Sequence, residues 1–250
     1  PMCLPVPPPY YPSGESYAAI VESAFQTAVQ QPMSTFSIDV DTASYANVRR
    51  FISQGSLPPH DAVRIEELIN YFKYNYAPPT GEHPFATHVE ISACPWAPGH
   101  RLAKIGLKGR EVPREERPAG NFVFLLDVSG SMADANKLPL VKEAMKALVN
   151  ELGPRDRVGI VTYASDARIA LPSVSCAEKA TLLGAIDTLN AGGSTQGSAG
   201  IQEAYRMAAA NFINEGVNRV ILATDGDFNV GVTDSNQLVR IIEENARGKV

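Results

Sequence analysis

Three stretches of this sequence are apolar almost without interruption: NFVFLLD (Asn121–Asp127), RVGIVTY (Arg157–Tyr163) and NRVILAT (Asn218–Thr224). A strand of that kind leaves no face for water and must be covered on both sides. Between and after them lie segments with helical apolar spacing. The alternation predicts a doubly wound, mostly parallel α/β sheet over residues 121–250.

The intervening helices can be placed from their stripes. One starts near Lys137, has Pro139 in its first turn, and repeats Leu138, Val141, Met145, Leu148 and Leu152 on one side. Two more are expected at about 178–189 and 198–214, the latter with Ile201, Ala204, Tyr205, Ala208 and Phe212 on one face, and a last one over 235–247. A short strand is expected at ARIAL (Ala167–Leu171). At Gly248-Lys249-Val250 another strand would begin, so the domain is expected to continue past residue 250.

The N-terminal part reads differently. Residues 1–14 hold six of the 19 prolines and suggest an extended linker. Apolar residues Ile20, Ala24, Phe25 and Val29 suggest a short helix over 15–31. STFSIDV (Ser34–Val40) alternates like a strand, with Phe36, Ile38 and Val40 on one face. A helix follows over 42–53, which Asp41-Thr42 can cap. A second begins near Asp61, with Ile65, Leu68, Ile69 and Phe72 as a buried stripe. Strands at His88–Ala93 and Arg101–Lys108 complete a small α+β module over residues 32–112. The charged, proline-bearing segment at 113–120 separates it from the second domain.

Charge and cysteine usage narrow the function. Lys+Arg 22 against Asp+Glu 27 gives a net charge of −5, which argues against a nucleic-acid surface. No apolar run reaches the roughly 18 residues of a membrane span. Three cysteines (Cys3, Cys94, Cys176) form no zinc spacing and no disulfide framework. Pro1-Met2 is a poor context for lipidation of Cys3, and a signal peptide would lie ahead of the sequence given. The four histidines (60, 83, 88, 100) show no ligand spacing.

The chemistry gathers at the strand ends. FLLDVSGSM puts Asp127, Ser129 and Ser131 at alternate positions past one strand, and ILATDGD puts Asp225 past another. The loop AGGSTQGSAG, with Thr195, lies between them in sequence. In open α/β sheets ligands bind beyond the carboxyl ends of strands where the order reverses. If the strand ending at Asp127 is central, the other two long strands flank it and the loops meet. Aspartates with hydroxyls make an all-oxygen set suited to a hard cation such as Mg²⁺.

DVSGS (Asp127–Ser131), Thr195 in GGST and Asp225 in TDG together resemble the metal-ion-dependent adhesion site of von Willebrand factor type A domains. STFSIDVDTASYANVRRF and LPPHDAVRIEELINYF resemble the N-terminal segment of a bacterial subgroup, often predicted lipoproteins, that carries this domain. The resemblance implies direct Mg²⁺ ligation by Ser129 and Ser131, ligation by Thr195 directly or through water, and binding through water by Asp127 and Asp225. Mn²⁺ and Ca²⁺ are alternative ions. It implies a non-enzymatic adhesion or assembly protein of the bacterial cell envelope or periplasm, whose partner is a protein presenting Asp or Glu. Membrane attachment is expected only through a lipidated N-terminus. The last strands and helix of that fold are missing from the 250 residues.

Two rivals remain. FSIDVDTAS has the DxDxT pattern by which haloacid-dehalogenase-type phosphatases present a nucleophile, here Asp39, and a general acid/base, here Asp41. A strand at the centre of the doubly wound sheet would be needed, and this one lies upstream. The other is a scaffold that works without metal.

Overall fold

The computed structural model describes residues 17–35, 38, 41–193, 198–225, 240, 242 and 243. The chain divides into two compact units, at 1–111 and 112–250.

The second unit is built on a four-stranded sheet in the order β5-β4-β3-β6. Its strands are β3 (Gly120–Asp127), β4 (Arg157–Tyr163), β5 (Ala167–Ser175) and β6 (Val217–Ala223). β3 is central and runs parallel to both β4 and β6, while β5 returns antiparallel along β4. Only Ala164–Asp166 join β4 to β5, too few for a crossover, so the chain has to turn back as a hairpin. Pro172 is tolerated because β5 is an edge strand and its register shifts beside that residue.

Alternation along β3 sorts its side chains onto two cores. Phe124 and Leu126 point to one face, with Val158 and Ile160 of β4. There they meet Met145 and Val149 of α3 (Leu138–Glu151) and Leu182 and Ile186 of α4 (Lys179–Thr188). Val123 and Leu125 point the other way, with Val161 and Tyr163, and pack on Ile201, Ala204 and Ala208 of α5 (Ser198–Ala210). Helices on both faces make this a doubly wound, mostly parallel α/β fold. Each fully buried Leu or Ile contributes about 1.5–3 kcal/mol. β6 is less enclosed than its apolar sequence suggests, with Ile221 36% and Leu222 38% exposed. It is the edge of the described sheet, and no further strand pairs with it among the described residues.

The N-terminal unit holds α1 (Ala43–Ser53), α2 (Ile65–Tyr71) and the antiparallel hairpin of β1 (Phe85–Ala93) and β2 (Arg101–Gly109). Several expectations fail here. Residues 17–27 form no helix and 28–30 form a turn; Val21, Phe25 and Val29 are fully or almost fully exposed. A short helix without a packing surface is marginal in water, and these side chains have none. The stripe of α2 is not buried either: Ile65, Ile69 and Phe72 are all more than half exposed. Apolar spacing states which side a helix would bury, but burial needs a facing element.

What joins α1 to α2 is mostly polar. The buried Ser44 hydroxyl donates to the Ala62 carbonyl and accepts from the Arg64 N–H, while the Ser44 N–H donates to Glu67. Tyr45 adds ring contacts to Tyr71 and Phe72 at 4.2 and 5.2 Å. Thr42 stands at the N-cap of α1 without a side-chain hydrogen bond, so the expected Asp41-Thr42 cap is not made. In the hairpin, Tyr76 stacks on His88 at 5.0 Å.

Candidate metal centre

β3 and β6 stop at nearly the same level, Leu126 pairing with Ala223 and Asp127 with Tyr163 of β4. The residues just beyond therefore meet. The Asp127 side chain is buried. Its Oδ1 accepts the Ser129 N–H at 2.8 Å, an Asx-type turn that folds the DVSGS loop over the strand end. Its Oδ2 accepts the Thr224 hydroxyl at 3.3 Å. A buried carboxylate costs free energy unless its oxygens are bonded, which makes this loop specific rather than incidental.

The hydroxyls of Ser129 and Ser131 lie 3.1 Å apart. Ser129 is buried and Ser131 exposed, so the pair spans from the sheet to the surface. Two backbone bonds fasten the next loop to this one: Gly192 N–H to the Val128 carbonyl at 2.7 Å and Gly130 N–H to the Gly193 carbonyl at 3.2 Å. Gly193 has φ of 91°, a left-handed conformation that favours glycine. The loop thus leaves the DVSGS turn in a set direction, but Thr195 lies outside the described residues.

One further participant, absent from the expected site residues, is Lys137. Its ammonium donates to Asp225 Oδ2 at 2.9 Å and to the Ser131 carbonyl at 3.0 Å, and the Asp225 side chain is only 9% exposed. Lys137 is the N-cap residue of α3, whose first turn has no acidic residue. A cation at the positive end of a helix is electrostatically misplaced, and that misfit was the available signal. Beneath the site, burial pushes the Tyr163 phenol up, and the charges of Asp127 and Asp225 push it further. It therefore remains a neutral phenol at physiological pH.

The residues fit a hard cation. The expected site side chains among the described residues offer oxygens alone, the carboxylates of Asp127 and Asp225 and the hydroxyls of Ser129 and Ser131, and a cation, the Lys137 ammonium, is seated against Asp225 and the Ser131 carbonyl. No group of three or more His, Cys, Asp or Glu that could hold a metal occurs among the described residues. The phosphatase pattern finds no such setting. Asp39 lies outside the described residues, and Asp41 is exposed just before α1, not at the end of a strand of the four-stranded sheet.

A family model described as von Willebrand factor matches residues 11–104, and one described as von Willebrand factor type A domain matches residues 122–227. Over 240 residues the chain is 45% identical to the uncharacterized protein YfbK of Escherichia coli, covering 93% of this chain and 42% of that one. It is 30% identical over 138 residues to an inter-alpha-trypsin inhibitor heavy chain of Homo sapiens, covering 52% of this chain and 15% of the other. Among solved structures, a von Willebrand factor type A protein from Catenulispora acidiphila is 21% identical, with 69% of this chain and 39% of that chain covered and a TM-score of 0.44. Proximal thread matrix protein 1 from the mussel byssus, with a zinc occupied MIDAS motif, is 28% identical, with 50% and 33% covered and a TM-score of 0.38. The chain spans less than half the length of these curated relatives.

Proposed function

Because this chain belongs to the bacterial proteins that carry a von Willebrand factor type A domain, we propose that it is a binding protein that holds a divalent cation beyond β3 and β6 and through it an acidic side chain of a protein partner. Ser129, Ser131 and Thr195 supply uncharged oxygens, while Asp127 and Asp225 supply the negative charge and orient the hydroxyls. A bound Mg²⁺ supplies an electrophilic point for a carboxylate, since hydroxyl ligands leave much of its charge uncompensated. The N-terminal module at 32–112 precedes this domain, and the protein acts at the bacterial cell envelope without catalytic turnover. No helix among the described residues is long and apolar enough to cross a membrane.

The observation that carries this reading is one hydrogen-bonded cluster, in which Asp127 holds Ser129, Ser129 meets Ser131, and Lys137 joins Ser131 to Asp225. Calorimetric titration of Mg²⁺ and Mn²⁺ into the protein and its Ser129→Ala/Asp225→Ala variant tests it. Saturable binding is expected in the first and not in the second. A glutamate-containing peptide should then bind only with metal present and be released by EDTA; binding that survives EDTA would sink the proposal. One observation favours a second reading, a metal-independent scaffold: Lys137 already neutralises Asp225 without an ion.

A further inference from the structure

Lys137 reaches across from the start of α3 to a carboxylate 88 residues later in the chain. Among the described residues its ammonium donates to Asp225 and to the Ser131 carbonyl, and both belong to loops of the proposed metal centre. Its side chain is 29% exposed against 9% for Asp225, so the lysine is the more solvent-accessible partner of the pair. A lysine in this place sets a positive charge against a carboxylate that would otherwise help attract a divalent ion.

We infer that Lys137 is an internal cation that competes with the divalent metal for Asp225, so that the metal is taken up only as the ammonium is released. This rests on the metal-dependent reading above. Lysine suits the part: its ammonium is a compact point charge on a flexible stem, and the stem can swing toward water without moving α3. Like charges confined to one site repel strongly where water is partly excluded. An ammonium that stays in place lowers metal affinity by repulsion, and one that leaves lowers it by the cost of breaking its pair with Asp225. Either way Lys137 weakens metal binding while stabilising the metal-free loops, two effects of opposite sign that a purely structural lysine would not combine.

The test compares the full-length protein with Lys137→Met and Lys137→Arg, using Mn²⁺ alone as the probe, calorimetry for affinity and thermal melting in EDTA for the metal-free state. Asp127→Ala in each background shows whether the heat comes from this site. Lys137→Met should bind Mn²⁺ about tenfold more tightly and melt earlier in EDTA, while Lys137→Arg, which keeps the charge, stays near the parent. Binding seen only in Lys137→Met would support the inference equally. Equal or weaker binding by Lys137→Met, with the parent binding normally, would overturn the inference and leave the metal reading standing. No site-specific binding in any variant would overturn the metal reading and the inference with it.

Discussion

Changing Asp156 to asparagine probes how β3 and β4 are tied together at the end of the sheet opposite the metal centre. The Asp156 side chain is 1% exposed and accepts from the Arg117 guanidinium, from the Gly120 N–H at 2.7 Å and from the Gly153 N–H at 2.7 Å. Burial disfavours its charge, yet Arg117 and the two N–H groups outweigh that and hold the carboxyl below its usual range. An asparagine keeps one acceptor and turns an NH₂ toward groups that can only donate. Arg117 is 35% exposed and can turn to water, but the Gly120 N–H is buried at the start of β3. Stranding that N–H costs about 1–3 kcal/mol, and the lost charge-assisted bonds bring the total to about 3 kcal/mol.

With a urea m-value of about 2 kcal/mol/M, that loss lowers the unfolding midpoint by about 1.5 M. Far-UV circular dichroism is the assay to use, since the sole tryptophan, Trp96, lies in the N-terminal unit. The difference should also depend on pH in one direction. A lowered folded-state pKa gives stability that is complete above the unfolded value of about 3.9 and disappears as pH falls through the folded value. The gap between parent and Asp156→Asn is therefore constant near neutrality and closes in acid. A midpoint shift below about 0.3 M at neutral pH, or a gap that widens on acidification, would refute the reasoning.

Three further outcomes are expected. Burial, with Asp156 nearby, pushes the Cys176 thiol up to about 11; iodoacetamide at mildly alkaline pH should leave the buried Cys176 unmodified in the native protein while labelling the partly exposed Cys94, and prompt modification of Cys176 on peptide mapping would contradict this. Leu126→Ala empties a fully buried position between β3 and the α3–α4 layer and should cost about 2–5 kcal/mol in chemical denaturation. A Cβ at Gly200 would lie 3.1 Å from Leu125 Cδ1 and 3.2 Å from Tyr163 Cβ; Gly200→Leu should therefore destabilise by about 1–3 kcal/mol, and a melting temperature equal to the parent's would show that α5 can move off the sheet.

Local chemistry made much of the second unit legible. Burial on both faces writes itself into β3 and β4 as unbroken apolar runs, and the stripes of α3 and α5 name side chains that do pack, such as Met145 and Ile201. The same logic misled at residues 15–31 and in α2, where Phe25 and Ile69 have the right spacing but stay exposed. Periodicity records what a segment could bury, and only a neighbour of matching shape makes the burial happen. The direction of β5 also escaped the reading of ARIAL as a short strand, because the extension to Ser175 and its bulge depend on pairing with β4.

The sequence alone determined the fold class and the identity of the residues around Asp127, since strand hydrophobicity and the DVSGS turn depend on near neighbours. Tertiary structure decided which strand ends lie level, and so brought Asp225 to the serines and Lys137 to Asp225. That ion pair joins groups 88 residues apart. It follows from the strand order β4-β3-β6 and the start of α3, and no local spacing encodes such a meeting.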